Sequence, residues 1–257
     1  MTSLSQSKGT TAMTSLNGAI VLITGANGGL GTALVRAAID RGAVRVYAGA
    51  RNPKDWGNDR IVPLTLDLTD PASIEKAAET AGDTTVLINN AAIFARSDLL
   101  TGPIEDLTTT LETNLVGPLR LTRALAPALA DSKGTLVNIN SVLSWFAVGK
   151  AHSVSKAGLW MATNALRLEL EPQGVGVLGV YAGPTDTAMQ PGEDRSGMND
   201  PAAVAGKIYD AIEAGDPELL VDDMTKKVHS ALAGSVTDLY PANGGSGPER
   251  VRALMSN

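Results

Sequence analysis

Two short stretches of the chain concentrate the residues that could do chemistry. The first is TGANGGLG over residues 24–31, where Gly25, Gly28, Gly29 and Gly31 surround Asn27 and Leu30. Glycines let a backbone pass close to a pyrophosphate, and a helix starting beside them favours its negative charge. The second is AHSVSKAGL over residues 151–159, where His152 and Lys156 are four residues apart. That spacing puts both side chains on one face of a helix. An imidazole can exchange a proton near neutral pH, although a cationic Lys156 beside it disfavours the charged ring. Other chemistries find little support. His152 and His229 lie far apart and the chain has no cysteine, so no metal constellation is visible. Ser141 lies upstream of His152, but no G-x-S-x-G elbow is present to suggest a hydrolase.

The elements that must position these residues follow from hydrophobic periodicity. Apolar runs of strand length alternate with helix-period segments, the pattern of a parallel sheet covered on both faces. Strands are expected at 19–24, 44–48, 61–66, 85–89, 135–139, 175–180 and 218–221. Helices are expected at 30–41, from Pro71 onward, at 104–129 and at 152–170, with Asp70 capping the one that Pro71 opens. Gly117-Pro118 should kink or break the long helix. The glycine loop then falls between the first strand and first helix, the context a dinucleotide loop requires. The second strand ends Y-A-G-A-R. An acidic residue there would bind ribose hydroxyls and repel a 2′-phosphate. Ala50 holds that place and Arg51 follows it, and a guanidinium suits a phosphate. NADPH is expected over NADH.

Composition sets the outer bounds. The 257 residues are 44% hydrophobic and 19% charged, which is enough for one large α/β domain. A net charge of −6 gives no basic footprint for nucleic acid or an anionic membrane surface. No apolar run approaches the ~18 to 20 residues of a membrane span, and the polar start has no signal-peptide core. The absence of cysteine suits a reducing cytosol, so a cytoplasmic protein is expected. Residues 1–16 read as a flexible tail, 17–240 as one domain, and 241–257, opening on PANGGSGPER, as a surface extension.

Five phrases in order resemble the short-chain dehydrogenase/reductase family: the T-G-x-x-x-G-x-G loop, INNAA at 88–92, ETNLVG at 112–117, AHSVSKAGL, and VYAGPTDTAM at 180–189. The resemblance implies a Rossmann-type, doubly wound sheet of about seven parallel strands in a single domain. It implies NADP(H) contacts from Gly25, Asn27, Gly28, Gly29, Leu30, Gly31, Arg51, Asp67, Leu68, Asn90, Ala91, Lys156, Thr185 and Thr187. Asp67 would lie near the adenine; its other reading is a turn or capping aspartate. Asn114 would support a proton relay, Ser141 would bind the substrate oxygen, and Lys156 would hold the ribose and tune the acid. The chain also departs from the pattern. His152 stands at the family's tyrosine, Ala92 at a glycine and Ala182 at a proline. The connection from Ser141 to His152 is two residues short, with Ser144 as the other nearby serine.

The resemblance thus implies an oxidoreductase that interconverts a ketone or aldehyde and an alcohol, with proton transfer altered or weakened at His152. The alternative is a catalytically silent or engineered protein that only binds the dinucleotide. In a third reading His152 merely caps or packs its helix, and water or an inward-pointing Tyr181 serves as acid. Trp145, Phe146, Ile93, Phe94 and Met189 are expected to face an apolar, medium-sized ligand, and residues 188–200 resemble a mobile lid. His229 reads as a solvated helix residue. A homodimer or homotetramer is expected, with neither nucleic acid nor membrane as partner.

Overall fold

Each central strand of the sheet is held by apolar residues on both of its faces. In the computed structural model, which describes residues 14–95, 97–189, 195–240 and 249, β1 (Ile20–Thr24) sends Val21 and Ile23 into one core and Leu22 into the other. That is the period of two demanded of a strand covered on both sides. The order continues α1 (Gly29–Asp40), β2 (Arg45–Ala50), β3 (Ile61–Thr65), α2 (Pro71–Thr80), β4 (Val86–Asn89), α3 (Ile104–Leu111), α4 (Gly117–Ser132) and β5 (Thr135–Ile139). Then follow α5 (Ala151–Leu170), β6 (Gly176–Tyr181), α6 (Pro201–Ala214), β7 (Glu218–Leu220), α7 (Asp223–Ala231) and α8 (Val236–Leu239). All seven strands pair parallel in the order β3-β2-β1-β4-β5-β6-β7. Helices α1 and α6 cover the Val21 face; α2 and α4 cover the Leu22 face.

The chain order reverses between β1 and β4, which are neighbours in the sheet. A crevice opens outside the carboxyl ends of the strands at such a switch point. The residues that follow β1, β4 and β5 therefore converge there.

Two expectations, the extent of the N-terminal tail and the missing α6, need correction, and two others hold with refined detail. The folded unit starts inside the stretch expected as a tail: Leu16 is fully buried in the core, and Thr14 Oγ1 lies 2.7 Å from Thr135 Oγ1. Residues 1–13, 241–248 and 250–257 lie outside the described residues. The break expected at Gly117-Pro118 takes the form of a π-helical turn, Glu112–Val116, between α3 and α4. Pro118 has no N–H to donate, and the wider turn absorbs the missing bond. Helix α6, capped by Asp200 through the Ala203 N–H at 2.9 Å, occupies a stretch to which periodicity had assigned no element. Finally, α5 begins at Ala151 after two short 3-10 turns, and Lys150 before it adopts a φ of 54°, unusual for a residue with a side chain.

Candidate active site

The glycine loop is shaped by close approaches that a side chain would block. Gly25 has a φ of 67°, and a Cβ there would stand 2.9 Å from Ala91 Cα. A side chain on Gly31 would collide with the Gly25 carbonyl, so α1 can start tight against the loop only with glycine there. Helix α1 has no side-chain cap and no acidic residue in its first turn. The N–H groups of that turn therefore lack an intrahelical acceptor and face an anion favourably. Asn27 donates its amide to the Asn52 carbonyl at 2.7 Å and so ties the loop to the end of β2. These features fit a dinucleotide pyrophosphate.

One cleft of about 1290 Å³ runs from this loop to the start of α5. Its lining includes every residue assigned above to the cofactor: Gly25, Asn27, Gly28, Gly29, Leu30, Gly31, Arg51, Asp67, Leu68, Asn90, Ala91, Lys156, Thr185 and Thr187. Arg51 is exposed at one rim. Asp67 accepts the Thr69 N–H at 2.9 Å and the Thr69 hydroxyl at 2.7 Å. These bonds, with a smaller effect from Arg51, hold its carboxyl below the usual range. Asp67 is thus a turn aspartate that also lines the cleft. At the end of β4, the Asn90 and Ala91 N–H groups both donate to Thr24 Oγ1 at 2.9 Å, joining the β4 and β1 ends.

Lys156, Ser141 and His152 line the far end of the cleft. Lys156 is buried and donates Nζ to the Ile139 carbonyl at 2.7 Å. Burial pulls its pKa down to about 8. Ser141 Oγ caps the 3-10 turn that follows it, accepting the Leu143 N–H at 3.2 Å and donating to the Ala182 carbonyl at 3.3 Å. Ser144 is buried and lies behind Ser141, whose N–H it accepts at 3.4 Å.

Asn114 does not line the cleft; it is fully buried in the π-helical turn and grips the segment after β4. Its Oδ1 accepts the Ile93 N–H at 2.8 Å, and its Nδ2 donates to the Ile93 carbonyl and to Ser155 Oγ, each at 3.0 Å. The same Ile93 carbonyl lies 2.9 Å from His152 Nδ1. The His152 ring is tilted against Phe94 at 4.5 Å between centroids. Burial, and then the charge of Lys156, lower its pKa to about 4 against a weaker opposing pull from the Ile93 carbonyl.

The apolar end of the cleft differs from expectation. Ile93, Phe94 and Met189 line it, but Trp145 and Phe146 do not. The 3-10 turns rotate both away from the cleft: Trp145 stacks on Tyr181 at 4.3 Å and Phe146 on Tyr240 at 5.4 Å. Leu143, Val148 and Met224 take their place. Tyr181 is buried under Trp145, outside the cleft lining, with its hydroxyl pKa pushed up by burial. His229 is only half-exposed and packs on Trp145 at 4.7 Å.

Asp222, which sequence reasoning passed over, anchors the segment after β6. It accepts from the Gly183 N–H at 2.7 Å, the Asn199 amide at 2.8 Å and the Thr225 N–H at 2.8 Å. Burial pushes its pKa up, but these bonds outweigh it and hold the carboxyl below the usual range. Part of the segment expected as a lid, residues 190–194, lies outside the described residues. Among the described residues no cluster could hold a metal, and no helix is long and apolar enough to cross a membrane.

A family model described as short chain dehydrogenase matches residues 19–196. The NADPH-dependent 1-acyldihydroxyacetone phosphate reductase of Schizosaccharomyces pombe is 35% identical over 66% of this chain and 61% of its own length. The chain thus spans less than two thirds of that relative. A Burkholderia cenocepacia short chain dehydrogenase solved in complex with NADP is 32% identical and superposes with a TM-score of 0.79 over 86% of this chain and 95% of the other. An NADPH-bound carbonyl reductase from chicken is 25% identical, with a TM-score of 0.71 over 77% of this chain and 92% of the other.

Proposed function

The chain belongs to the short-chain dehydrogenase family, and on that premise we propose an NADP(H)-dependent oxidoreductase that interconverts a ketone or aldehyde and an alcohol. We further infer that His152 holds the place of the family's tyrosine and alters proton transfer. The observation that carries the reading is the single cleft joining Arg51, the glycine loop and the Ser141–His152–Lys156 corner. The NADP-bound Burkholderia structure and the NADPH-dependent yeast reductase support the cofactor.

When bound, NADP(H) supplies or accepts the hydride. The chain's own residues bind, orient and move the proton. Arg51 offers a cation for the 2′-phosphate where an acidic residue would repel it. The uncapped first turn of α1 would receive the pyrophosphate. Lys156, fixed by the Ile139 carbonyl, would hold the ribose hydroxyls, and it disfavours a charged His152. Ser141 donates to the Ala182 carbonyl across a long 3.3 Å bond, and breaking that bond would free its O–H for the substrate oxygen. Asn114 fixes Ile93 and so the wall on which the His152 ring rests. Apolar Ile93, Phe94, Leu143 and Met189 accept a medium-sized ligand.

One observation favours a second reading, a protein that binds the dinucleotide without turnover. Neutral His152, facing the Ile93 carbonyl, has no proton ready for a substrate carbonyl oxygen. An NADPH fluorescence titration beside a carbonyl and alcohol panel separates the two. Both readings require NADPH binding, and only the enzyme oxidises or reduces the cofactor.

The exposed Met161 and Leu168 on α5 and Ile104 on α3 support self-association as a dimer or tetramer through these helices.

A further inference from the structure

The hydrogen bonds around His152 determine which of its nitrogens carries the proton. A carbonyl oxygen only accepts, so the Nδ1 atom 2.9 Å from the Ile93 oxygen must carry a hydrogen. The neighbouring Asn114 amide does not compete. Its orientation is fixed because Ile93 offers it an N–H on one side and a C=O on the other; a flipped amide would set oxygen against oxygen. Both amide hydrogens are engaged by the Ile93 carbonyl and Ser155 Oγ, so the 3.4 Å approach of Asn114 Nδ2 to His152 Nδ1 is not a hydrogen bond.

The ring is also neutral at pH 7. His152 is buried, and the cation one turn along α5 is Lys156. From the segment after β4 come the Ile93 carbonyl and the Phe94 ring, and from the π-helical turn the uncharged Asn114. Lys150, just before α5, is paired with Asp98 at 2.6 Å. Among the described residues no carboxylate hydrogen-bonds the imidazole. In a neutral ring protonated at Nδ1, Nε2 keeps its lone pair. That atom makes no hydrogen bond among the described residues, on a side chain that lines the cleft.

Such a corner recognises a hydroxyl and disfavours a carbonyl oxygen. An alcohol can donate its O–H to Nε2 while accepting from Ser141. A ketone oxygen can accept from Ser141 but would face the Nε2 lone pair. Resting on the oxidoreductase reading, we propose that the site is built for alcohol oxidation, with His152 Nε2 as the group that binds the substrate hydroxyl and takes its proton. The alcohol's C–H bond breaks with its electron pair leaving as hydride to the oxidised nicotinamide dinucleotide. Its O–H bond breaks with the proton passing to Nε2, and C=O forms. The imidazolium then returns its proton to solvent, so the alcohol loses two electrons and the dinucleotide gains them.

Long-range proton–nitrogen NMR correlation of the uniformly 15N-labelled protein, without cofactor at pH 7, reads the tautomer directly. His229→Gln assigns the two histidines. The expected result is His152 protonated at Nδ1 alone, unchanged down to pH 5. Kinetics with 1-phenylethanol and NADP+, and with acetophenone and NADPH, give the second readout. Oxidation kcat/KM should be flat above about pH 6, and reduction kcat/KM should fall about tenfold per pH unit as protonated ring becomes scarce. An Nε2-protonated or charged ring in a protein that binds NADPH overturns the proposal alone. So does a reduction rate independent of pH. Failure of NADPH to bind overturns the oxidoreductase reading and the proposal together.

Discussion

The Nδ1 atom of His152 lies 2.9 Å from the carbonyl oxygen of Ile93, and that carbonyl is itself held by the Asn114 amide at 3.0 Å. The imidazole is therefore locked by backbone from a different part of the chain. A group held this way, buried and beside Lys156, titrates far from its solution range.

This has a consequence for stability. The folded-state pKa of His152 is lowered to about 4 from 6.5, so as pH falls below 6.5 the unfolded chain takes the proton first. Stability present at pH 7 is lost between pH 6.5 and 4, by about 3 kcal/mol. In urea melts, the parent should lose about that much more than His152→Phe between pH 7 and pH 4. Parallel losses in the two proteins would contradict the lowered pKa.

Replacing His152 with tyrosine tests its part in proton transfer. A phenol reaches further along the cleft than the imidazole and carries its own proton. His152→Tyr should raise NADPH-dependent reduction of a carbonyl panel by an order of magnitude or more, within the range of general acids. His152→Phe, which keeps an aromatic ring against Phe94 but no exchangeable proton, should fall below the parent in alcohol oxidation. Steady-state kcat/KM for the three proteins decides it. Equal activity of Phe and parent, with no gain from Tyr, would make the silent binding protein the better reading.

The strands and the glycine loop were legible in the sequence because parallel strands buried on both faces read as apolar runs, and α1 starts directly after the loop. Helix α6 was signalled by Asp200-Pro201, a cap followed by a helix-starting proline, but its alanines and Gly206 blur the apolar stripe. Trp145 and Phe146 show why pocket walls are harder to read. Their size is written in the sequence, but their direction is set by 3-10 turns and by the partners Tyr181 and Tyr240. The His152 tautomer was out of reach because its determinant, the Ile93 carbonyl, lies 59 residues away.

Asp222 should matter to cofactor binding without touching the cofactor. It fastens Gly183 and Asn199 on either side of the segment that carries Thr185 and Thr187 to the cleft. Asp222→Ala should cost about 1.5 to 3 kcal/mol of stability, the range for hydrogen bonds to a charged group, and should weaken NADPH binding. Chemical denaturation and an NADPH titration measure both. Unchanged affinity in a destabilised variant would confine Asp222 to folding.

Self-association is expected through α3 and α5. Leu168 is 77% exposed, Ile104 64% and Met161 59%, apolar side chains that a second copy would cover. Light scattering at micromolar concentration should give a dimer or tetramer, and Met161→Glu with Leu168→Glu should shift it toward monomer. A monomeric parent would refute this.

The cofactor is the central claim, and equilibrium titration of the parent and Arg51→Ala with NADPH and NADH tests it most directly. The parent should bind NADPH at least several-fold more tightly than NADH. Arg51→Ala should erase most of that difference by removing about 1.5 to 3 kcal/mol of phosphate contact. Equal dissociation constants for the two dinucleotides in the parent, or no binding of either, would contradict the account.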